Sequence, residues 1–136
     1  MPQGKKAHAS GVNEAAAMRL YFDGRSADKQ GSGGFIAFSP EGKLLAGAAY
    51  NYGREAGTVN AAELESLKRA LTWLVKQEVR APHVVIYGDS DLTVRFINRQ
   101  AQPRIQKLAL RVASCKELMK QLAVKAHVLF IPRGKN

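Results

Sequence analysis

Three carboxylates in this chain have neighbours that suit them to chemistry. Asp23 precedes Gly24 at the end of an alternating segment (Met18, Leu20, Phe22), and Asp89 lies between Gly88 and Ser90 after the apolar run His83-Val84-Val85-Ile86-Tyr87. Open α/β sheets bind ligands beyond the carboxyl ends of their strands, where such acids would stand. If the two strands are parallel neighbours, Asp23 and Asp89 emerge side by side. Carboxylates that close repel each other and raise a pKa, a cost that a divalent cation removes, so the pair predicts a metal site. A third acid comes from the helix-patterned stretch between Asn60 and about Val79, whose stripe is Leu64, Leu67, Leu71, Leu74 and Val75. At about 100° per residue, Glu63 falls beside that stripe and faces the sheet, whereas Glu65 points to water. An acid in a first helical turn also favours the helix dipole, so Glu63 counts as a ligand only together with the other two.

Other chemistry is weaker. Gly31, Gly33 and Gly34 invite a phosphate-loop reading, but no Lys-Ser/Thr follows and no helix begins there. Cys115 is the single cysteine and falls on the apolar stripe of a later helix, which predicts a buried thiol rather than a disulfide or a zinc ligand. His8, His83 and His127 stand at no ligand spacing and read as structural. Trp73 lies off its helix's main stripe and is expected to be partly buried.

Positioning the three acids takes a mixed α/β order. Met18–Asp23 reads as a strand stopped by Asp23-Gly24. Phe35–Phe38 and Lys43–Tyr52 read as a hairpin about Ser39-Pro40-Glu41-Gly42, giving three consecutive antiparallel strands. The helix from Asn60 follows, then the strand at 83–87, apolar throughout as a strand buried on both faces would be. Asp91–Asn98 reads as a short helix that Asp91 could cap. Ile105, Leu108, Val112, Cys115, Leu118, Met119 and Leu122 form the stripe of a longer helix after Pro103, and Val124–Pro132 alternates as a last strand. Residues 1–16 are small and polar and are expected to form a flexible tail, with the domain spanning 17–136.

The 136 residues, 46% of them hydrophobic, suffice for one core and exclude both general disorder and two ordinary domains. The net charge of +10 is uneven: residues 1–94 hold 11 basic and 10 acidic side chains, and residues 95–136 hold 10 and one. A polycationic last third attracts polyanions, nucleic acid first. Arg95, Arg99, Arg104, Lys107, Arg111, Lys116 and Lys120 surround the two later helices with only Glu117 to balance them, which favours phosphate contacts over a solvated face. No stretch approaches the roughly 18 apolar residues of a membrane span and no secretory signal opens the chain. An intracellular protein, cytoplasmic or nuclear, is expected, with no membrane partner.

Taken together, Asp23-Gly24 after a strand, a glycine-rich turn into a hairpin, Thr58-Val59-Asn60-Ala61-Ala62-Glu63-Leu64 leading a helix, and Asp89-Ser90 after a buried strand resemble type 1 ribonuclease H. Ile131-Pro132-Arg133-Gly134-Lys135-Asn136 is similar to the strand end and turn before that family's last helix. The resemblance covers about residues 18–136. It implies a ribonuclease H-like fold of the α/β class, with a mixed five-stranded sheet of three antiparallel strands and then parallel ones, flanked by helices. The implied activity is hydrolysis of the RNA strand of RNA–DNA hybrids with Mg2+, Mn2+ being the alternative. In the family two metals work on the scissile phosphate. By resemblance Asp23 bridges both, while Glu63 and Asp89 hold the second, and these three are the catalytic candidates. Gly24, Thr58, Asn60 and Ser90 would contact the hybrid, and Arg95, Arg104 and Lys107 would carry its phosphates. A 2′-hydroxyl on one strand only is what distinguishes a hybrid from either pure duplex.

The chain departs from the pattern at Asp28-Lys29-Gln30-Gly31, where the family often has Asn-Pro, at Val59, where a second Asn is common, and at Asp91, where Gln is common. The family's fourth carboxylate lies on a helix after the turn that here reads Arg133-Gly134-Lys135-Asn136, and no acid follows Glu117. The sequence is therefore expected to be a C-terminally truncated domain, free-standing or cut from a retroelement polyprotein, with severely reduced turnover. A module that binds hybrid or double-stranded RNA without cutting is the competing expectation.

Overall fold

The computed structural model describes residues 16–79 and 81–134. Nearly all of the expected tail at 1–16, and the last two residues of the Ile131–Asn136 segment, lie outside the described residues. The elements run β1 (Met18–Ala27), β2 (Gln30–Phe38), β3 (Leu44–Gly53), a single 3-10 turn (Arg54–Ala56), α1 (Val59–Val75), β4 (His83–Gly88), α2 (Asp91–Ile97), α3 (Gln106–Lys120) and β5 (Lys125–Phe130). The five strands form one sheet in the order β3-β2-β1-β4-β5. β2 is antiparallel to both β1 and β3, and β4 is parallel to both β1 and β5. The sheet is thus mixed and five-stranded, three antiparallel strands followed by parallel ones, as the resemblance implies.

One face of the sheet carries Leu20, Phe22, Val84, Ile86 and Val128, and against it pack Leu64, Leu67, Leu71 and Leu74 of α1 together with Val94 of α2 and Val112 and Cys115 of α3. Trp73 is half-buried against Phe35, their ring centroids 5.9 Å apart. The Cys115 thiol donates to the Leu64 carbonyl at 3.6 Å, and burial pushes its pKa up to about 12, so it is an inert core group. The opposite face holds a smaller cluster of Ala17, Val85 and Tyr87 with Tyr21, Leu129 and Ile131. Tyr21 stacks on Tyr87 at 5.0 Å. β4 is thus buried on both faces, which explains its unbroken apolar run.

Two glycine readings need correction. β1 does not stop at Asp23-Gly24; it continues to Ala27, and its hairpin turns at Asp28-Lys29, which take positive φ of 51° and 61° as the central pair of a tight two-residue turn. Gly31, Gly33 and Gly34 lie inside β2 rather than in a turn. Close approach is the physical reason. A methyl group on Gly24 would lie 2.3 Å from the carbonyl carbon of Ala62 and from the nitrogen of Glu63, and one on Gly33 would lie 2.2 Å from Ser66 Oγ. α1 therefore rests on β1 with main chain against main chain. Gly24→Ala is expected to force the helix outward and lower stability by about 2 kcal/mol or more, read from the midpoint of urea denaturation.

α1 ends at Val75 rather than near Val79, because its last turn tightens: Lys76 N–H donates to Trp73 O and Gln77 N–H to Leu74 O, both at 3.1 Å. The histidines also differ from expectation. The parallel pairing of β4 with β5 brings His83 and His127 together, with His127 Nε2 3.3 Å from His83 Nδ1. Burial, then the neighbouring His83 and Lys125, lower the pKa of His127. The folded chain thus takes up this proton less readily than the unfolded one, so stability is full above the ordinary imidazole pKa and declines as pH falls through it. Melting temperatures between pH 7.5 and 5.5 are expected to drop further for the unaltered chain than for His127→Asn.

Candidate metal centre

The parallel register of β1 and β4 pairs Met18 with Val84 and continues to Phe22 with Gly88. The next residue in each case is an acid, Asp23 within β1 and Asp89 just past the end of β4, so the two follow side by side. α1 delivers the third. Thr58 Oγ1 accepts the Ala61 N–H at 3.1 Å and fixes the helix start, and the contact at Gly24 then sets Glu63 directly over β1. Ligand oxygens of Asp23, Glu63 and Asp89 all lie within 4.8 Å of one another.

Electrostatically the cluster is incomplete by itself. Glu63 is fully buried, and the side chains of Asp89 and Asp23 are 3% and 33% exposed. Both oxygens of Glu63, Oδ1 of Asp23 and Oδ1 of Asp89 are buried without a hydrogen-bond partner among the described residues. Burial raises the Glu63 pKa to about 8, with further contributions from the charges of Asp23 and Asp89, while the Gly24 amide beside it works the other way. Unpartnered hard oxygen ligands around one centre fit a divalent cation, which would satisfy them and restore Glu63 to its ionised form.

Glu65 does not face water. Its side chain is 13% exposed, with Oε2 accepting from Arg69 Nε at 2.9 Å and Oε1 from Arg111 Nη1 at 2.7 Å. α3 packs across this side of α1, and Arg111 also donates through Nη2 to the Glu55 carbonyl at 2.6 Å. Arg111 is accordingly tied into the fold. The cap of α2 is Ser90 rather than Asp91: Ser90 Oγ accepts the Thr93 N–H at 3.2 Å, and Asp91 instead approaches Arg95 at 3.9 Å.

The remaining expected substrate residues divide between places. Thr58 and Lys107 line a groove of about 980 Å³ between α1, α3 and the end of β3, together with Lys29, Arg54, Lys68 and Arg69. Asn60 is half-buried in the first turn of α1, and Arg95 and Arg104 are exposed outside that groove. A second groove, of about 510 Å³, opens on the sheet face away from the helices and is lined by Asp23 and Asp89. Here stand two residues that sequence reasoning did not assign to the site. Arg25 Nε lies 3.6 Å from Asp23 Oδ2, and Arg133 Nη1 lies 3.6 Å from Asp89 Oδ2. Arg25 shares a face with Asp23, two residues on along β1, a signal legible only once the strand is known to run past Gly24.

The family described as reverse transcriptase-like matches residues 21–136. Among solved structures the chain is similar to ribonuclease H1 of the halophilic archaeon Halobacterium salinarum NRC-1, at 22% identity over 88% of each chain with a TM-score of 0.79. It is also similar to the N-terminal ribonuclease H domain of Rv2228c from Mycobacterium tuberculosis, at 22% identity over 88% of this chain and 85% of that one, with a TM-score of 0.78. LC11-RNase H1, isolated from compost by a metagenomic approach and seen in complex with RNA/DNA hybrid, gives 24% identity over 88% of each chain and a TM-score of 0.79. At these identities the likeness is one of fold. No curated protein matches the sequence.

Proposed function

Because the chain belongs to the reverse transcriptase-like family and has a ribonuclease H-like fold, we propose that it acts on RNA–DNA hybrids, hydrolysing the RNA strand at the Asp23, Glu63 and Asp89 centre. The observation that carries this reading is the set of buried, unpartnered carboxylate oxygens within 4.8 Å of one another. A bound divalent cation, Mg2+ with Mn2+ as the alternative, supplies activation of the attacking water and charge stabilisation at the leaving 3′ oxygen. Asp23, the most exposed of the three acids, stands at the rim where a phosphodiester enters. Glu63 and Asp89 form the dry inner wall, where low dielectric strengthens every charge interaction. The basic groove beside Thr58 and Lys107 offers a track for the phosphates that flank the scissile one.

A second reading, binding of hybrid or double-stranded RNA without cleavage, is favoured by the basic groove, whose lining of Lys29, Arg54, Lys68, Arg69 and Lys107 offers phosphate contacts apart from the acids. Single-turnover cleavage of labelled hybrid, double-stranded RNA and DNA by excess protein separates the readings. Cutting confined to the RNA strand of the hybrid supports the nuclease. Tight binding with no cutting in Mg2+ or Mn2+ supports the binding module. In either case affinity is expected to fall steeply as salt rises, and a flat salt dependence would count against a phosphate-tracking surface.

A further inference from the structure

Each aspartate of the centre divides its oxygens. Oδ1 of Asp23 and Oδ1 of Asp89 are buried and without a hydrogen-bond partner, whereas Oδ2 of each faces a guanidinium, that of Arg25 and that of Arg133. The two arginines stand at one mouth, since both line the groove that reaches Asp23 and Asp89. Their side chains are 75% and 66% exposed, so most of their donors remain open to solvent. Nothing in the proposed hydrolysis requires cations at these two positions. The two guanidiniums offset the charge of the two aspartates beside them, which weakens the site's hold on a free cation.

We propose that Arg25 and Arg133 are exchangeable counter-cations: without nucleic acid they rest on Asp23 and Asp89, and on binding they transfer to non-bridging oxygens of the entering phosphodiester. This inference rests on the function proposed above and adds a regulation to it. At 3.6 Å neither guanidinium hydrogen-bonds its aspartate, and the mostly solvated arginines can leave when the metal takes their place on the carboxylates, that of the buried Asp89 included; a planar guanidinium also matches a phosphate better than a point charge does. Once the arginines hold phosphate, their charge is balanced there and the carboxylates recover their full attraction for the metal. Metal and nucleic acid thereby bind with positive coupling, and by linkage each raises the other's affinity by the same factor. The chain would hold its metal loosely until substrate arrives.

The test is Mn2+ binding followed by the electron paramagnetic resonance signal of the free ion, which does not depend on turnover. Without nucleic acid, Arg25→Ala and Arg133→Ala are each expected to bind Mn2+ about three- to tenfold more tightly than the unaltered chain, and Arg25→Lys and Arg133→Lys to stay near it. Adding a hybrid of DNA with 2′-O-methyl RNA, which resists cleavage, is expected to tighten Mn2+ in the unaltered chain more than in the alanine variants. Unchanged or weaker Mn2+ binding in both alanine variants, with circular dichroism showing them folded, overturns the inference. Asp23→Asn serves as the separate control. If it leaves Mn2+ binding untouched, the proposed metal centre itself fails, and the inference with it.

Discussion

Asp23→Asn is expected to lower the single-turnover rate of hybrid cleavage by about three orders of magnitude or more, roughly 4 kcal/mol of lost charge stabilisation. The substitution keeps the shape of the side chain and removes one negative charge from a set whose oxygens lie within 4.8 Å. Hybrid affinity in the presence of a chelator is expected to survive, because the basic groove proposed to carry phosphates, around Thr58 and Lys107, does not include the acids. That separation is the informative part. A variant that lost binding and cleavage together would show Asp23 to be a substrate contact rather than a metal ligand. Cleavage at the parental rate would remove the carboxylate centre from the chemistry altogether.

Glu63→Gln is expected to stabilise the metal-free chain at high pH while ending its response to divalent cations. The folded pKa of Glu63 rises from 4.5 to about 8, so between those values the folded chain holds a proton that the unfolded chain has released. The associated stability is present in full below the unfolded pKa and is lost as pH rises through the folded one. The loss above pH 8 is on the order of 3 kcal/mol for a carboxylate this deeply buried, and a neutral amide of the same shape avoids it. Urea denaturation in chelator, with both chains carrying His127→Asn to remove the opposing imidazole effect, should therefore show the Glu63 chain weaker at pH 9 than at pH 5, with the Gln variant nearly level. Saturating divalent cation reverses the trend in the Glu63 chain, by about 2.7 kcal/mol at a concentration one hundred times Kd, and leaves the variant unmoved. Equal stability at the two pH values in the Glu63 chain of that background would mean that Glu63 is not the strained group of the centre.

The three acids were legible because each sits where the sequence pattern changes: Asp23 and Asp89 at the ends of apolar segments and Glu63 beside a leucine stripe. β4 was legible because both of its faces are covered, which leaves no polar alternation to misread. Gly24 misled because one residue type serves two purposes, a turn or a close approach, and only the position of α1 decides between them. Glu65 misled because its neighbour Arg111 is 46 residues away on α3, and no property of α1 alone announces that α3 will cover it. The pair of His83 and His127 depends in the same way on the register of β4 with β5. Local pattern reports which face of an element turns inward; it carries no information on what a distant element will place against the other faces.

The contact of α1 with Gly24 has a consequence for how such a centre can diverge. The distance from Glu63 to Asp23 is set by a helix backbone lying on a strand backbone, with no side chain as spacer. Exchanging Leu64, Leu67 or Leu71 for other apolar residues alters the volume of the core but not the thickness of that seam. Lineages can therefore rewrite most of the interior and keep the same trio of acids in register, provided that the strand keeps a position with nothing on its Cα. What a genome must preserve here, besides three carboxylates, is an absence.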